Sequence, residues 1–335
     1  MVRFFCFSLF LCCAAAACQR GGKPSGDDNG ILLNSPPYGA LTDSIRRFPG
    51  DATLYLRRAA MLTQRDLHEL AAADYSRSWA KGPAEQTAIQ YAANLSILNK
   101  AAGKLDLLQE AVEKFPHSAG LRRLLGDSYA EAGQAAHALE IYDRLLAVDS
   151  LDFETWYEKG LLLAGQKDTL QAIAAIGRAF SLQPVHTYGL ELAHLYAERK
   201  DMRALKICDA ILAADPSAKL PDPFFIKGIY FSNLQQYAAA IVAFDSCIQR
   251  EWTFTDAYIE KGIAFFKMQR YDTAMRTFQL ASQVSHVNAD AYYWMGRCLE
   301  QKHQNQEALL MYQRAAALDR NFLEARQRLR QLQGS

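Results

Sequence analysis

Catalysis needs particular side chains at particular spacings, and few such sets occur in this sequence. The histidines His68, His117, His137, His186, His194, His286 and His303 form no His-Glu-x-x-His pair, the spacing that sets two zinc-binding imidazoles on one helix face. No Gly-x-Ser-x-Gly turn exposes a nucleophilic hydroxyl, and no glycine-rich loop is present to cradle phosphates. Cys208, Cys247 and Cys298 have no metal-type or redox-type spacing and read as small buried thiols. Carboxylates are plentiful, but no acid–base pair among them stands out. The expectation is a protein that is not an enzyme and uses no cofactor and no metal.

One cysteine stands apart. Met1-Val2-Arg3 is followed by an apolar run from Phe4 to Ala17, the pattern of a signal peptide. The run is shorter than the roughly 20 residues a membrane-spanning helix needs. Ala15-Ala16-Ala17-Cys18 resembles the lipobox of bacterial lipoproteins, with Ala15 where leucine is usual. The resemblance implies cleavage after residue 17 and a diacylglycerol on the Cys18 thiol. It also implies an address in the bacterial cell envelope, at the outer membrane. The same residues fit an ordinary secretory signal cut near Ala17, with Cys18 incidental. Residues 18–35, with four glycines, Pro24 and several polar residues, read as the lipidated cysteine and a flexible tether.

The elements behind this leader must account for a chain of 335 residues, half of them hydrophobic and 11% aromatic, which rules out a disordered protein. Lys and Arg total 37 against 36 Asp and Glu, so no basic excess draws the chain to nucleic acid. Glycines recur at Gly126, Gly160, Gly228, Gly262 and Gly296, at intervals of 34 or 68 residues. Extending this ladder places Arg58, Ala92 and His194 in the same column. Alanines stand twelve residues after the glycines, at Ala138, Ala172, Ala240, Ala274 and Ala308. Bulky residues stand sixteen after, at Tyr142, Ile176, Phe244, Phe278 and Tyr312.

Columns in phase over many periods mark a solenoid. This pattern resembles the tetratricopeptide repeat, a helix-turn-helix of 34 residues, from Asp51 to Phe322. The resemblance implies an all-α fold, a right-handed superhelical solenoid of eight repeats starting near 51, 85, 119, 153, 187, 221, 255 and 289. A capping helix is expected at 36–50, with Tyr38, Leu41, Ile45 and Phe48 on one stripe, and a polar-backed one at 323–335, with Leu323, Leu329 and Leu332 among Arg and Gln. Repeat 1 reads as one residue longer than the rest. Repeat 2 has Lys104 where alanine is usual. Repeat 5 has His194 for glycine and two residues fewer in its turn, with Lys219-Leu220 restoring the register.

In the tetratricopeptide family the first helix of each repeat lines a concave groove. Carried over position by position, eleven acids and four bases (Arg123, Arg199, Lys267 and Arg297) fall there. The candidate partner-binding residues are Tyr157, Glu158, Tyr188, Glu191, Phe225, Glu260, Phe266, Tyr293 and Arg297. Four of the eleven acids, Glu154, Asp222, Asp256 and Asp290, sit in first helical turns, where the helix dipole alone favours them, which leaves seven acids to four bases. The implied function is a membrane-anchored, non-catalytic protein–protein interaction scaffold. Its partners would be envelope proteins or peptide segments of basic or aromatic character, with no nucleic acid. The alternative is a glycan- or nutrient-binding outer-membrane lipoprotein using the aromatic residues as stacking platforms.

Overall fold

The computed structural model describes residues 26–215, 217 and 219–333, with side chains from residue 29 onward. The leader and Cys18 lie outside the described residues. Among the described residues there are nineteen helices and no strand. The chain divides into two compact units, one up to Asp168 and one from Thr169.

The first unit holds α1 (Gly26–Asn34), α2 (Gly39–Arg47), α3 (Ala52–Thr63), α4 (His68–Lys81), α5 (Glu85–Ile97), α6 (Ala101–Lys114), α7 (Ala119–Glu131), α8 (Ala135–Val148) and α9 (Phe153–Gly165). The second holds α10 (Thr169–Leu182), α11 (His186–Glu198), α12 (Arg203–Ala214), α13 (Asp222–Asn233), α14 (Tyr237–Arg250), α15 (Thr255–Lys267), α16 (Tyr271–Val284), α17 (Ala289–Gln301), α18 (Asn305–Leu318) and α19 (Leu323–Gln333). Within each unit every helix packs on the next in chain order. A helix pair alone buries only one face, so stacking completes the core.

The turn inside each repeat has one construction. A residue in the left-handed region ends the first helix, at Asp66, Asn99, Gly133, Lys167, Lys200, Gln235, Gln269 and His303. The next N–H donates to a carbonyl five residues back, as from Gln134 to Tyr129 at 2.8 Å and from Gln304 to Leu299 at 2.9 Å. This bond satisfies a carbonyl that the helix end leaves open.

Counting seven residues back from each left-handed residue gives Ala59, Ala92, Gly126, Gly160, Ala193, Gly228, Gly262 and Gly296, every one small and buried. Arg58 and His194 are therefore not in the small column; Ala59 and Ala193 are. The extra residue expected in repeat 1 becomes a one-residue shift of the whole register. The two residues missing from repeat 5 are lost separately, one before Ala193 and one between Ala193 and Ala204. The compensating residues sit before α13. There the Asp215 carboxylate accepts from the backbone N–H groups of Ser217, Lys219 and Leu220 at 3.1, 2.9 and 3.1 Å.

At four positions of the small column a ring presses on the glycine. A Cβ on Gly126 would stand 2.7 Å from Tyr142 Cε1, and one on Gly296 would stand 2.6 Å from Tyr312 Cε1. Gly228 and Gly262 face Phe244 and Phe278 more closely still. Where the column holds Ala92, the facing residue is the branched, ring-free Leu108, itself fully buried.

The two departures at the N-terminal end are buried charges with partners. Arg58 lies between α2, α3 and α4, donating to both Asp74 oxygens at 2.6 and 2.8 Å and to Thr42 Oγ1 at 2.8 Å. Lys104 pairs with Glu131 at 2.7 Å.

The caps differ in detail from the sequence reading. Part of the expected tether is the helix α1, whose Leu32 and Leu33 pack on the cluster of Tyr38, Ala59, Leu62 and Tyr75. Of the expected stripe, Tyr38 at the N-cap of α2 and Ile45 within it are buried, whereas Phe48 at its C-cap is exposed and Thr42 takes an inward place. At the other end Leu323 faces solvent, and Phe322 and Ala325 are the buried residues.

Candidate binding groove

In both units successive first helices touch one another: α5 with α7 and α7 with α9, then α11 with α13, α13 with α15 and α15 with α17. Successive second helices stay farther apart, so each stack curves with its first helices inside. Side chains standing two residues before the small column, or one after it, project from this inner face.

In the first unit the inner face carries an acidic cluster around one arginine. Arg123 on α7 contacts Asp152 at 3.3 Å and pairs with Glu154. Asp152 also caps α9, accepting from Thr155 N at 3.1 Å. Asp127 accepts from the Tyr142 hydroxyl at 2.7 Å. Burial, with the charges of Asp127 and Glu154, pushes Glu158 up to about 7, against the pull of Arg123. Tyr157, beside Glu158 on α9, is partly exposed.

The second unit carries two acidic clusters. Glu191 on α11 is raised by burial and by the charge of Asp222 on α13. Glu260 on α15 is pushed to about 7 by burial and by Asp256 and Asp290. Burial and Asp290 push Asp256 to about 6. Asp222, Asp256 and Asp290 occupy first turns, where the helix dipole favours a carboxylate. Glu191 and Glu260 sit mid-helix and have no such support.

Arg297 does not neutralise these acids. Its guanidinium lies 5.5, 5.7 and 6.0 Å from the ring centres of Phe266, Trp294 and Tyr293. Its Nη1 donates to the Tyr293 hydroxyl at 3.2 Å, and its Nε stands 3.6 Å from Glu300. Glu300 also accepts from the Tyr312 hydroxyl.

The predicted aromatic residues divide by role. Tyr293 is 9% exposed and packs on Phe322 and Tyr312, with ring centres 5.0 and 5.7 Å apart. Phe225 packs on Phe254 and Phe244 at 5.1 and 5.9 Å. Phe266 meets Tyr271 and Trp294 at 5.3 and 5.4 Å. These three join repeats to one another, while Tyr157 and Tyr188 keep partial exposure. Sequence reasoning missed His194 as an inner-face residue. It stands one place past the small column, in line with Asp127 and Arg297, and burial lowers its pKa while Glu198 opposes the shift. The left-handed residue Lys200, seven places after Ala193, is the structural marker that moves it there.

Aromatic rings, partly buried carboxylates and one arginine held among rings can bind and orient a ligand. Among the described residues no group of three or more His, Cys, Asp or Glu is placed to hold a metal ion. No helix among them is long and apolar enough to cross a membrane.

A family profile described as Tetratricopeptide repeat matches residues 105–152, 123–186 and 259–321. The crystal structure of a tetratricopeptide repeat protein from Parabacteroides merdae ATCC 43184 is similar with TM-score 0.64 at 17% identity, over 74% of this chain and 98% of that one. The structure of the APC/C hetero-tetramer Cut9-Hcn1 is similar with TM-score 0.55 at 19% identity, over 93% of this chain and 60% of that one. Comparison with curated protein sequences finds no match. The repeats of this chain are thus supported as tetratricopeptide repeats, and its fold is that of the all-helical tetratricopeptide solenoids.

Proposed function

We propose that the protein is a lipid-anchored, non-catalytic scaffold of a bacterial cell envelope, which holds a protein partner against the inner face of its repeats. One observation carries the reading: Glu191 and Glu260 stand mid-helix on the inner face, partly buried beside like charges that raise their pKa. A side chain kept where its charged form is disfavoured points to a role outside folding. The Ala15-Ala16-Ala17-Cys18 motif supports the anchor and the address. The APC/C hetero-tetramer, in which the similar chain is one component, supports assembly with other proteins as a use of this fold.

Two experiments test the proposal. Cys18→Ala should release the protein from membranes into the soluble fraction; continued sedimentation with membranes contradicts the anchor. Affinity capture from detergent-solubilised membranes should recover the same partner repeatedly with the native chain and lose it with Glu191→Gln/Glu260→Gln. Recovery of background proteins alone contradicts the scaffold reading.

A further inference from the structure

We infer that Arg297 and Trp294 form a seat on the inner face of the second unit for one side-chain carboxylate of a partner segment, a glutamate held by Arg297 Nη2 and the Trp294 indole N–H. This rests on the scaffold reading above for the class of ligand, a protein segment. It adds an acid to the basic side chains that the rest of the inner face favours.

Arg297 has donors to spare. A guanidinium carries five N–H groups, and this one makes a single hydrogen bond, from Nη1 to the Tyr293 hydroxyl at 3.2 Å. Its Nε is buried without a hydrogen-bond partner; Glu300 stands 3.6 Å away, an ion pair beyond hydrogen-bond reach. Nη2 makes no hydrogen bond among the described residues and, unlike Nε, is not buried. The rings of Phe266, Trp294 and Tyr293 fix the guanidinium in place while leaving these bonds unmade. A carboxylate is the acceptor that best answers such a group.

The local charge suits an anion. Glu300 lies between Arg297 and Arg328 of α19, the second 3.7 Å away, and accepts from the Tyr312 hydroxyl. Two arginines to one carboxylate leave one positive charge. Asp290, at the start of the same helix, precedes Arg297 by seven residues, about 10 Å of helix rise. That exceeds the roughly 8 Å screening length of physiological salt.

Trp294 supplies the second donor. It stands two residues before Gly296, and Arg297 stands one after, so both project from the inner face. Its ring stacks on Phe278 at 6.0 Å and meets Phe266 edge-on at 5.4 Å. Its N–H makes no hydrogen bond among the described residues and is not buried. A glutamate lays its methylenes against these rings and carries its charge at the tip. A chain-terminal carboxylate would bring its backbone N–H against the rings, which offer it no acceptor.

The test is fluorescence anisotropy of the full chain in detergent with labelled twelve-residue Ser/Thr/Ala peptides. One has a central glutamate and an amidated C-terminus, one has glutamine in its place, and one is the glutamine peptide with a free C-terminal carboxylate. The glutamate peptide should bind at least tenfold more tightly than either of the others. Arg297→Gln should abolish that preference, and Trp294→Phe, which keeps a ring, should cut it at least threefold. Arg276→Gln, on the exposed surface of α16, should leave it intact. Equal binding of the glutamate and glutamine peptides by the native chain overturns the inference whatever the variants do. A preference that survives Arg297→Gln or Trp294→Phe, with folding verified by circular dichroism, also overturns it. Binding of the free-carboxylate peptide as tightly as the glutamate peptide overturns the assignment to a side chain. A partner captured from membranes equally by native and Arg297→Gln chains refutes this inference while leaving the scaffold reading standing. Capture of no partner, with the glutamate preference intact, refutes the scaffold reading alone.

Discussion

Burial keeps Glu158 and Glu260 protonated to about pH 7, against 4.5 for an unperturbed glutamate. Between these limits the folded form binds more protons than the unfolded chain, so stability falls as pH rises through the window. Each tenfold displacement of an ionisation equilibrium corresponds to about 1.4 kcal/mol. Glu260→Gln should therefore raise stability at pH 8 by about 1–3 kcal/mol and flatten the pH dependence of Tm between pH 5 and 8. A lower Tm would mean that the carboxylate supports the fold. On the acid side, Asp215 and Asp51 are held below their usual range by hydrogen bonds, so what they contribute is present above the ordinary value of 3.8 and is lost as pH falls from there through their lower folded values. The small column makes a second residue-scale prediction. Gly262→Ala forces a methyl into the Phe278 ring and should destabilise by about 1–3 kcal/mol. Phe278→Leu should cost less in the Gly262→Ala background than alone, since Ala92 facing Leu108 already tolerates that pairing. Simple additivity in the double-mutant cycle would contradict the close approach.

At the scale of elements, the repeated turn and the first repeat are the testable structures. Gln269 and Lys200 hold left-handed backbone with an ordinary side chain, a conformation that glycine adopts at lower energy by about 1 kcal/mol. Gln269→Gly should be neutral or stabilising by up to about 1 kcal/mol, whereas the same change at mid-helix Gln279 should destabilise. Asp74→Ala strands the buried Arg58 and should destabilise the first repeat by about 3–5 kcal/mol. Chemical denaturation of each variant checks these values. These same elements show what the sequence made legible. Glycines at 126, 228, 262 and 296 could be read because no other residue fits against a ring at that distance. Ala59 and Ala193 gave no such signal, since alanine suits many helical sites, and the one-residue slips of repeats 1 and 5 were displaced onto Arg58 and His194. Seven of the eight left-handed turn residues are not glycine, so the turns left no mark. The helix α1 was hidden by Gly26 and Gly30, which read as tether. In the groove the excess of acids was legible, but their pairing was not. Asp256 and Asp290 lie in different repeats, and each has a sufficient local explanation in its own helix dipole.

At the scale of the whole molecule, each repeat is stabilised by its neighbours, so damage should spread by adjacency. Hydrogen exchange should show Gly262→Ala lowering protection in α15 and α16 first and α14 and α17 next, with α3 to α6 unaffected; uniform loss across the chain would contradict nearest-neighbour stabilisation. The functional claim is that carboxylates on the inner face are retained for binding at the expense of stability. Its most direct measurement is made on Glu191→Gln/Glu260→Gln, reading Tm at pH 8 and partner capture from solubilised membranes on the same preparation. The account predicts a higher Tm together with loss of the partner. A lower Tm, or a higher Tm with capture undiminished, would contradict it.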